Sequence, residues 1–209
     1  QFNLVNYNAG YGSTANTFFG VSSGAATTTG TYNTTVGYES AKVLTIGRYN
    51  TALGWRSLYS DVGGEESVAV GYGALFTQDM GDSRVSSKNT GVGLAAGYHN
   101  VTGTTNTWLG YEAGKGDTGQ SNTGNTGVGA NALTAVTTGG YNVAIGNGSG
   151  KALTTGGNNV FLGGNAGLTT VDVDKAVILG NSAAVSNMTS AADGTIAVGY
   201  DCLSLLTTG

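Results

Sequence analysis

The stretch NTWLGYEAG, Asn106 to Gly114, sets Trp108 and Tyr111 on either side of a glycine, with little else of bulk around them. Its meaning lies in its copies. The pattern of a β-branched residue, any residue, a large apolar residue and then Gly recurs at Gly20, Gly37, Gly54, Gly71, Gly93, Gly110, Gly129, Gly146, Gly163, Gly180 and Gly199. Seven of the ten intervals are 17 residues and the others are 22, 19 and 19. A degenerate twelfth copy runs from Leu4 to Ala9. A fixed period of this length is the signature of stacked coils.

The columns of the repeat set the expected geometry. Three residues before each Gly the chain has only Thr, Val or Ile, and one before it only Phe, Val, Leu or Ile. Both columns suit a short strand and, being two residues apart, share one of its faces. That face is expected to line the inside of the coil. Three residues after the Gly every copy carries Ser, Ala or Cys202, which predicts close packing there. Asn opens eight of the eleven copies, four before the Gly; it suits a turn, and in register it can form an amide ladder. Each coil therefore reads as turn, strand, Gly corner, second short strand and a Thr/Gly/Asn loop. The fold class is all-β, a parallel β-roll or solenoid of about 12 short coils spanning 1–209 as one repeat domain. Successive strands ~4.8 Å apart give a rod of roughly 50 Å. The termini look like cuts through a longer fibrous protein.

Composition narrows the function. With 38 glycines, no proline and no glycine period of three, the chain is not collagen. Eight scattered basic residues and a net charge of −4 do not make a nucleic-acid surface. One cysteine excludes an intrachain disulfide. No apolar run approaches the ~18 residues of a membrane helix. His99 has no catalytic or metal-binding partners at a useful spacing, and Gly146–Lys151 has the wrong spacing for a phosphate loop. The close acidic groups are Glu65 with Glu66, Asp79 with Asp82 and Asp172 with Asp174, none in a repeated pairwise arrangement. No catalytic residue, metal or cofactor is expected.

The residue between the two strand columns is expected to point outward, and ten of these eleven are apolar or Gly. Phe18, Trp108, Phe161 and Ile178 are thus candidate interchain contacts, because exposed apolar columns mark interfaces and thin cores need oligomerisation. Tyr38, Trp55 and Tyr72 form a candidate aromatic stripe just after the Gly, with Tyr32 and Tyr49 in a shorter column before the Asn. The stripe is either a structural seam or a platform for sugar rings. The 22-residue interval contains the largest insertion, 77–88, in which Asp79, Asp82, Arg84 and Lys88 are candidate receptor contacts.

Copies such as NTALGWRSL, NTTVGYESA, NTWLGYEAG and NTGVGANAL, followed by Thr-Thr-Gly loops, resemble tandem repeats of phage tail-fibre proteins. They are also similar to the head repeats of trimeric autotransporter adhesins. The adhesin repeat is shorter than 17 residues, so the phage-type version is the nearer. The resemblance implies a left-handed homotrimer: a non-enzymatic segment of an extracellular fibre on a virion tail or bacterial surface. Its partners would be two further copies of itself and a cell-surface glycan or protein receptor. Alternatives are a bacterial adhesin head and a glycan-degrading viral tailspike. An ice-binding solenoid is set aside because the regular threonines are read as inward.

Overall fold

A computed structural model describes residues 15–205; the degenerate copy Leu4–Ala9 lies outside the described residues. The chain is a parallel β-solenoid of eleven coils. Its strands are β1 (Thr17–Phe19), β2 (Thr34–Val36), β3 (Thr51–Leu53), β4 (Gly64–Glu65), β5 (Val68–Val70), β6 (Val85–Ser86), β7 (Thr90–Val92), β8 (Thr107–Leu109), β9 (Thr126–Val128), β10 (Val143–Ile145), β11 (Val160–Leu162), β12 (Val177–Leu179) and β13 (Ile196–Val198). All but β4 and β6 form one 11-stranded parallel sheet in chain order, and β4 pairs with β6 in a second, two-stranded sheet. Pairing is strictly in register: Thr90, Thr107 and Thr126 stack, as do Gly91, Trp108 and Gly127. The only other regular element among the described residues is a 3-10 turn, Ser190–Ala192.

The Asn column forms the expected ladder. Asn33 N–H donates to Asn16 Oδ1 at 2.8 Å, and Asn33 Nδ2 donates to Gly47 O at 2.9 Å. The same pair of bonds recurs at Asn142 and Asn159, so each amide satisfies backbone groups of its neighbours inside the coil. The corner glycines are required by close approach. Gly110 has φ +139°, and a Cβ on it would lie 2.5 Å from Gly129 O.

Two expectations are corrected. First, the segment after the corner is a run of turns, not a second strand. Its residues alternate into left-handed backbone, as at Glu39 (φ 53°) and Ala41 (φ 47°). Their N–H groups then bond in opposite directions along the rod, Glu39 to Val21 O and Ala41 to Ser57 O.

Second, the strand faces are inverted. In every main-sheet strand the middle residue is buried, and the residues on either side are exposed or half-exposed. Phe18, Trp108, Phe161 and Ile178 are core residues, so they are not the interchain contacts. The outward face carries Thr17, Thr34, Thr51, Thr90, Thr107 and Thr126 in one column and Phe19, Leu109, Ile145, Leu162 and Val198 in the next. The physical reason is volume. The coil interior is closed on its far side by the small column, where Ser23, Ser40, Ser57, Ala74, Ala96, Ala113, Ala132, Ser149, Ala166 and Ala183 are all fully buried. Only one strand residue per coil fits inside. The β-branched columns are strand formers because identical side chains stack along the sheet surface, which does not require burial.

The inversion explains Trp108. Its ring occupies space left by three glycines: a Cβ on Gly97 would meet it at 2.6 Å, one on Gly127 at 2.8 Å, and one on Gly114 would fall within the ring itself. Gly91 stacks on its other side in β7. The same exchange of volume recurs between the middle strand residue and the one six positions later. Phe161 faces Gly167, where a Cβ would meet its ring at 2.8 Å, and Phe18 faces Gly24 in the same way. At Ala52 and Ala69 the later position is Leu58 or Leu75, each fully buried; at Ala144 it is Gly150, and there Leu133 and Phe161 of the neighbouring coils fill the space. Interior volume is thus exchanged both within a coil and between neighbouring coils: Leu75 and Trp108 fill the space at Gly97.

Candidate functional site

The largest departure from the repeat and most of the stacked aromatic side chains lie between the coils of Gly37 and Gly93. At Ser67 the Asn column is interrupted. Gln78, from the root of the insertion, supplies the missing amide: its Nε2 donates to Ser67 Oγ (3.0 Å) and its Oε1 accepts from Asn89 Nδ2 (2.9 Å). Gln78 Nε2 also donates to Asp61 Oδ2 at 2.5 Å. Asp61 is a fully buried carboxyl in the position that Leu44 fills one coil earlier. It accepts further bonds from Gly64 N and Met80 N. Burial pushes its pKa up against the lowering effect of those three donors.

These buried groups pin the start of 77–88, while Ser87 pins its end by donating to Glu65 O beside the β4–β6 pair. The insertion is therefore a flap with fixed roots, its strand β6 stacked in parallel on β4. Of the four predicted contacts, Asp79 accepts from Gly81 N within the flap and Asp82 is exposed. Arg84 lies 3.9 Å from Glu65, and its Nε donates to Ile46 O two coils away. Lys88 lies 3.8 Å from Glu66. The structure brings Arg84 and Lys88 over adjacent coils but engages Asp79 in local turn geometry.

The aromatic stripe forms in part. Trp55 and Tyr72 stack with centroids 4.3 Å apart, whereas Tyr38 makes no ring contact with Trp55. The Arg56 guanidinium sits 4.4 Å from the Trp55 ring centroid and bonds to Glu39, which also holds Lys42, both at 2.7 Å. The Lys42 hydrogen bond, with help from Arg56, keeps the Glu39 carboxyl below its ordinary range. A second ladder, not foreseen, runs Tyr59, Phe76, Tyr98 with centroids 5.0 and 4.8 Å apart, and His99 packs edge-on against Tyr98. Burial holds the pKa of His99 down. Rings stacked along a rod turn their edges outward and cover one another's faces. Trp55 is half-buried, with Tyr72 stacked on it and the Arg56 guanidinium over its ring. Tyr32 and Tyr49 stack at 5.1 Å as expected but form an exposed pair of only two rings.

Sequence reasoning missed Asp61 and Gln78. The signal for Gln78 was present: the one break in the middle of the Asn column, at Ser67, falls in the coil that carries the insertion. Elsewhere Asp172 accepts from Ser190 N and Asp174 from Gly157 N, so both acids hold turns. Among the described residues there is no cluster of metal-binding side chains, and no helix is long and apolar enough to cross a membrane. No protein-family model, curated protein or solved structure matches the chain.

Proposed function

We propose that the chain is a non-enzymatic segment of an extracellular, homotrimeric, left-handed fibre, most closely of the phage tail-fibre type, that serves host attachment. The observation that carries it is the outward face of the 11-stranded sheet. Phe19, Leu109, Ile145, Leu162 and Val198 are between 37 % and 66 % exposed in one straight column. A continuous apolar column beside a Thr/Val column is a surface that a soluble protein covers. Three copies turning this face to a common axis would cover it, and interface aliphatics stacked at the strand spacing suit such a rod. The bacterial adhesin head shares this logic and remains the alternative. A glycan-degrading tailspike has less support, since Glu65, Glu66, Asp172 and Asp174 are each tied to a basic residue or a turn. The outward threonines remove the first objection to an ice-binding surface. However, Val68, Val143, Val160, Val177 and Ile196 break the Thr column, and the adjacent column has no Thr at all.

Multi-angle light scattering on the purified chain should give the mass of three copies. Leu109→Asp and Ile145→Asp together should reduce it to one copy. A wild-type chain that stays monomeric and melts cooperatively would refute the fibre reading.

A further inference from the structure

A groove of about 450 Å³ opens in the turns that follow the corner, across the coils of Gly129, Gly146 and Gly163. It is lined by Thr134, Ala135, Lys151, Ala152, Leu168 and Thr169. That volume falls in the range of small-molecule sites. The lining residues are the fifth and sixth after each corner glycine. In earlier coils the fifth position carries the rings of Tyr59, Phe76 and Tyr98, stacked at 5.0 and 4.8 Å. Here it carries Thr134, Lys151 and Leu168, which leave the column open.

The polar groups of the walls are already engaged. Thr134 Oγ1 donates to Glu112 O, and Thr169 Oγ1 donates to Val185 O. Ala135 N and Ala152 N donate to Lys151 O and Leu168 O, both at 3.1 Å. What the groove offers is hydrocarbon surface and one charge. Lys151 is exposed, and its ammonium makes no ion pair with any described residue. The repeat shows why. Lysine fills the fifth position three times. Lys42 pairs with Glu39 at 2.7 Å and Lys115 with Glu112 at 3.0 Å, in each case the residue three before it. Three before Lys151 stands Gly148, and Leu168 lies over it: a Cβ on Gly148 would be 3.4 Å from Leu168 Cδ1. The carboxylate that neutralises this lysine in other coils is missing in the coil where the groove opens.

From this juxtaposition we infer that the groove binds a single-headed amphiphile, an unbranched hydrocarbon chain lying along the rod with its carboxylate on Lys151. Three coils at the ~4.8 Å strand spacing make the groove elongated, the shape of a chain rather than of a ring. Its walls remove apolar surface from water. A sugar would leave its hydroxyls unpaired there, and a polyanion would meet a single cation. Lysine, a compact charge on a flexible stem, takes a carboxylate without needing a fixed planar fork. The groove lies in the turns and not in the strands, so the inference does not depend on the trimer or on host attachment.

The test is calorimetric titration of the full chain, near neutral pH, with decanoate, decyltrimethylammonium and acetate, each below its micelle-forming concentration. Decanoate saturates a single site per chain with a Kd below about 1 mM, at least about tenfold tighter than decyltrimethylammonium, and acetate does not bind. Lys151→Gln abolishes that preference, and Lys151→Glu reverses it. Gly148→Glu supplies the missing partner and abolishes the preference with Lys151 intact. Its left-handed backbone, φ +66°, is one that Glu39 and Glu112 already adopt at this position, at 53° and 51°. If that variant fails to fold, the two Lys151 variants decide. Ala152→Phe fills the groove and weakens decanoate by about tenfold or more. Val43 and His99 hold the same position in other coils, so bulk is tolerated there. Absence of saturable decanoate binding overturns the proposal. So does equal binding of decanoate and decyltrimethylammonium, or a folded Ala152→Phe that binds decanoate as wild type does. A planar acid, 2-naphthoate, binding more tightly than decanoate would overturn the chain-shaped occupant.

Discussion

The exchange of volume around Trp108 makes a quantitative prediction. Trp108 is fully buried, and Trp→Ala in a core typically costs 3–5 kcal/mol. Its indole N–H has no hydrogen-bond partner, so losing it relieves an unsatisfied donor and places Trp108→Ala near ~3 kcal/mol. Gly114→Leu alone drives a side chain into the ring at a left-handed position, φ +56°. Overpacking of ~1–3 kcal/mol and backbone strain of ~1–2 kcal/mol add there. The two changes together recreate what the coils of Gly54 and Gly71 already have: Ala in the strand with Leu58 or Leu75 six residues later, at φ 51° in both. Burying that new Leu returns ~1.5–3 kcal/mol. Trp108→Ala/Gly114→Leu should therefore be more stable than either single variant, with a coupling of about 2 kcal/mol or more. Urea unfolding followed by circular dichroism, at fixed protein concentration, measures all three. Additive losses would refute the complementarity and with it the account of which strand face is inside.

Ala113→Leu and Ala166→Leu, in the small column, should each lose ~1–3 kcal/mol by overpacking, read as a lower urea midpoint; neutral substitutions at both would show that the column is not closed. Asn125→Ala strips the acceptor of the buried Asn142 N–H and a donor from Gly139 O, so a loss of ~1–3 kcal/mol is expected, with hydrogen exchange accelerating first at Asn142. Excising 79–84 should leave the solenoid intact, because loop length enters closure entropy only logarithmically, whereas Gln78→Ala should destabilise it by exposing the Asp61–Ser67–Asn89 network to unpaired groups. Asp61 has a raised folded-state pKa, so its contribution is fully present below the unfolded carboxyl value, ~3.9, and is lost as pH rises through the folded one. Stability against pH should fall across that window in wild type, and the fall should vanish in Asp61→Leu.

The repeat was legible in the sequence because identical coils must solve one packing problem with one set of residues. The period, the parallel in-register sheet, the Gly corner, the buried small column and the Asn ladder all follow from columns of residue type. So does the stacking of Tyr32 on Tyr49 and of Trp55 on Tyr72, since residues 17 apart meet at the strand spacing. The second ladder at Tyr59, Phe76 and Tyr98 was equally available in the columns.

Which face of a three-residue strand is inside was decided only by the tertiary structure. Alternation fixes that neighbours oppose one another, but a strand this short presents two outer residues against one, and hydrophobicity favours the wider pair whether it lies in a core or at an interface. The interior of a 17-residue coil, closed by Ser and Ala opposite, holds one side chain per strand. That restriction put Trp108 among Gly91, Gly97, Gly114 and Gly127 and turned Leu109 outward. The sequence carried a trace of it in the pairing of large strand residues with Gly six positions on. Likewise, no column could show that the flap sets Arg84 Nε on Ile46 O two coils away, because that contact depends on where the chain's one large insertion comes to rest.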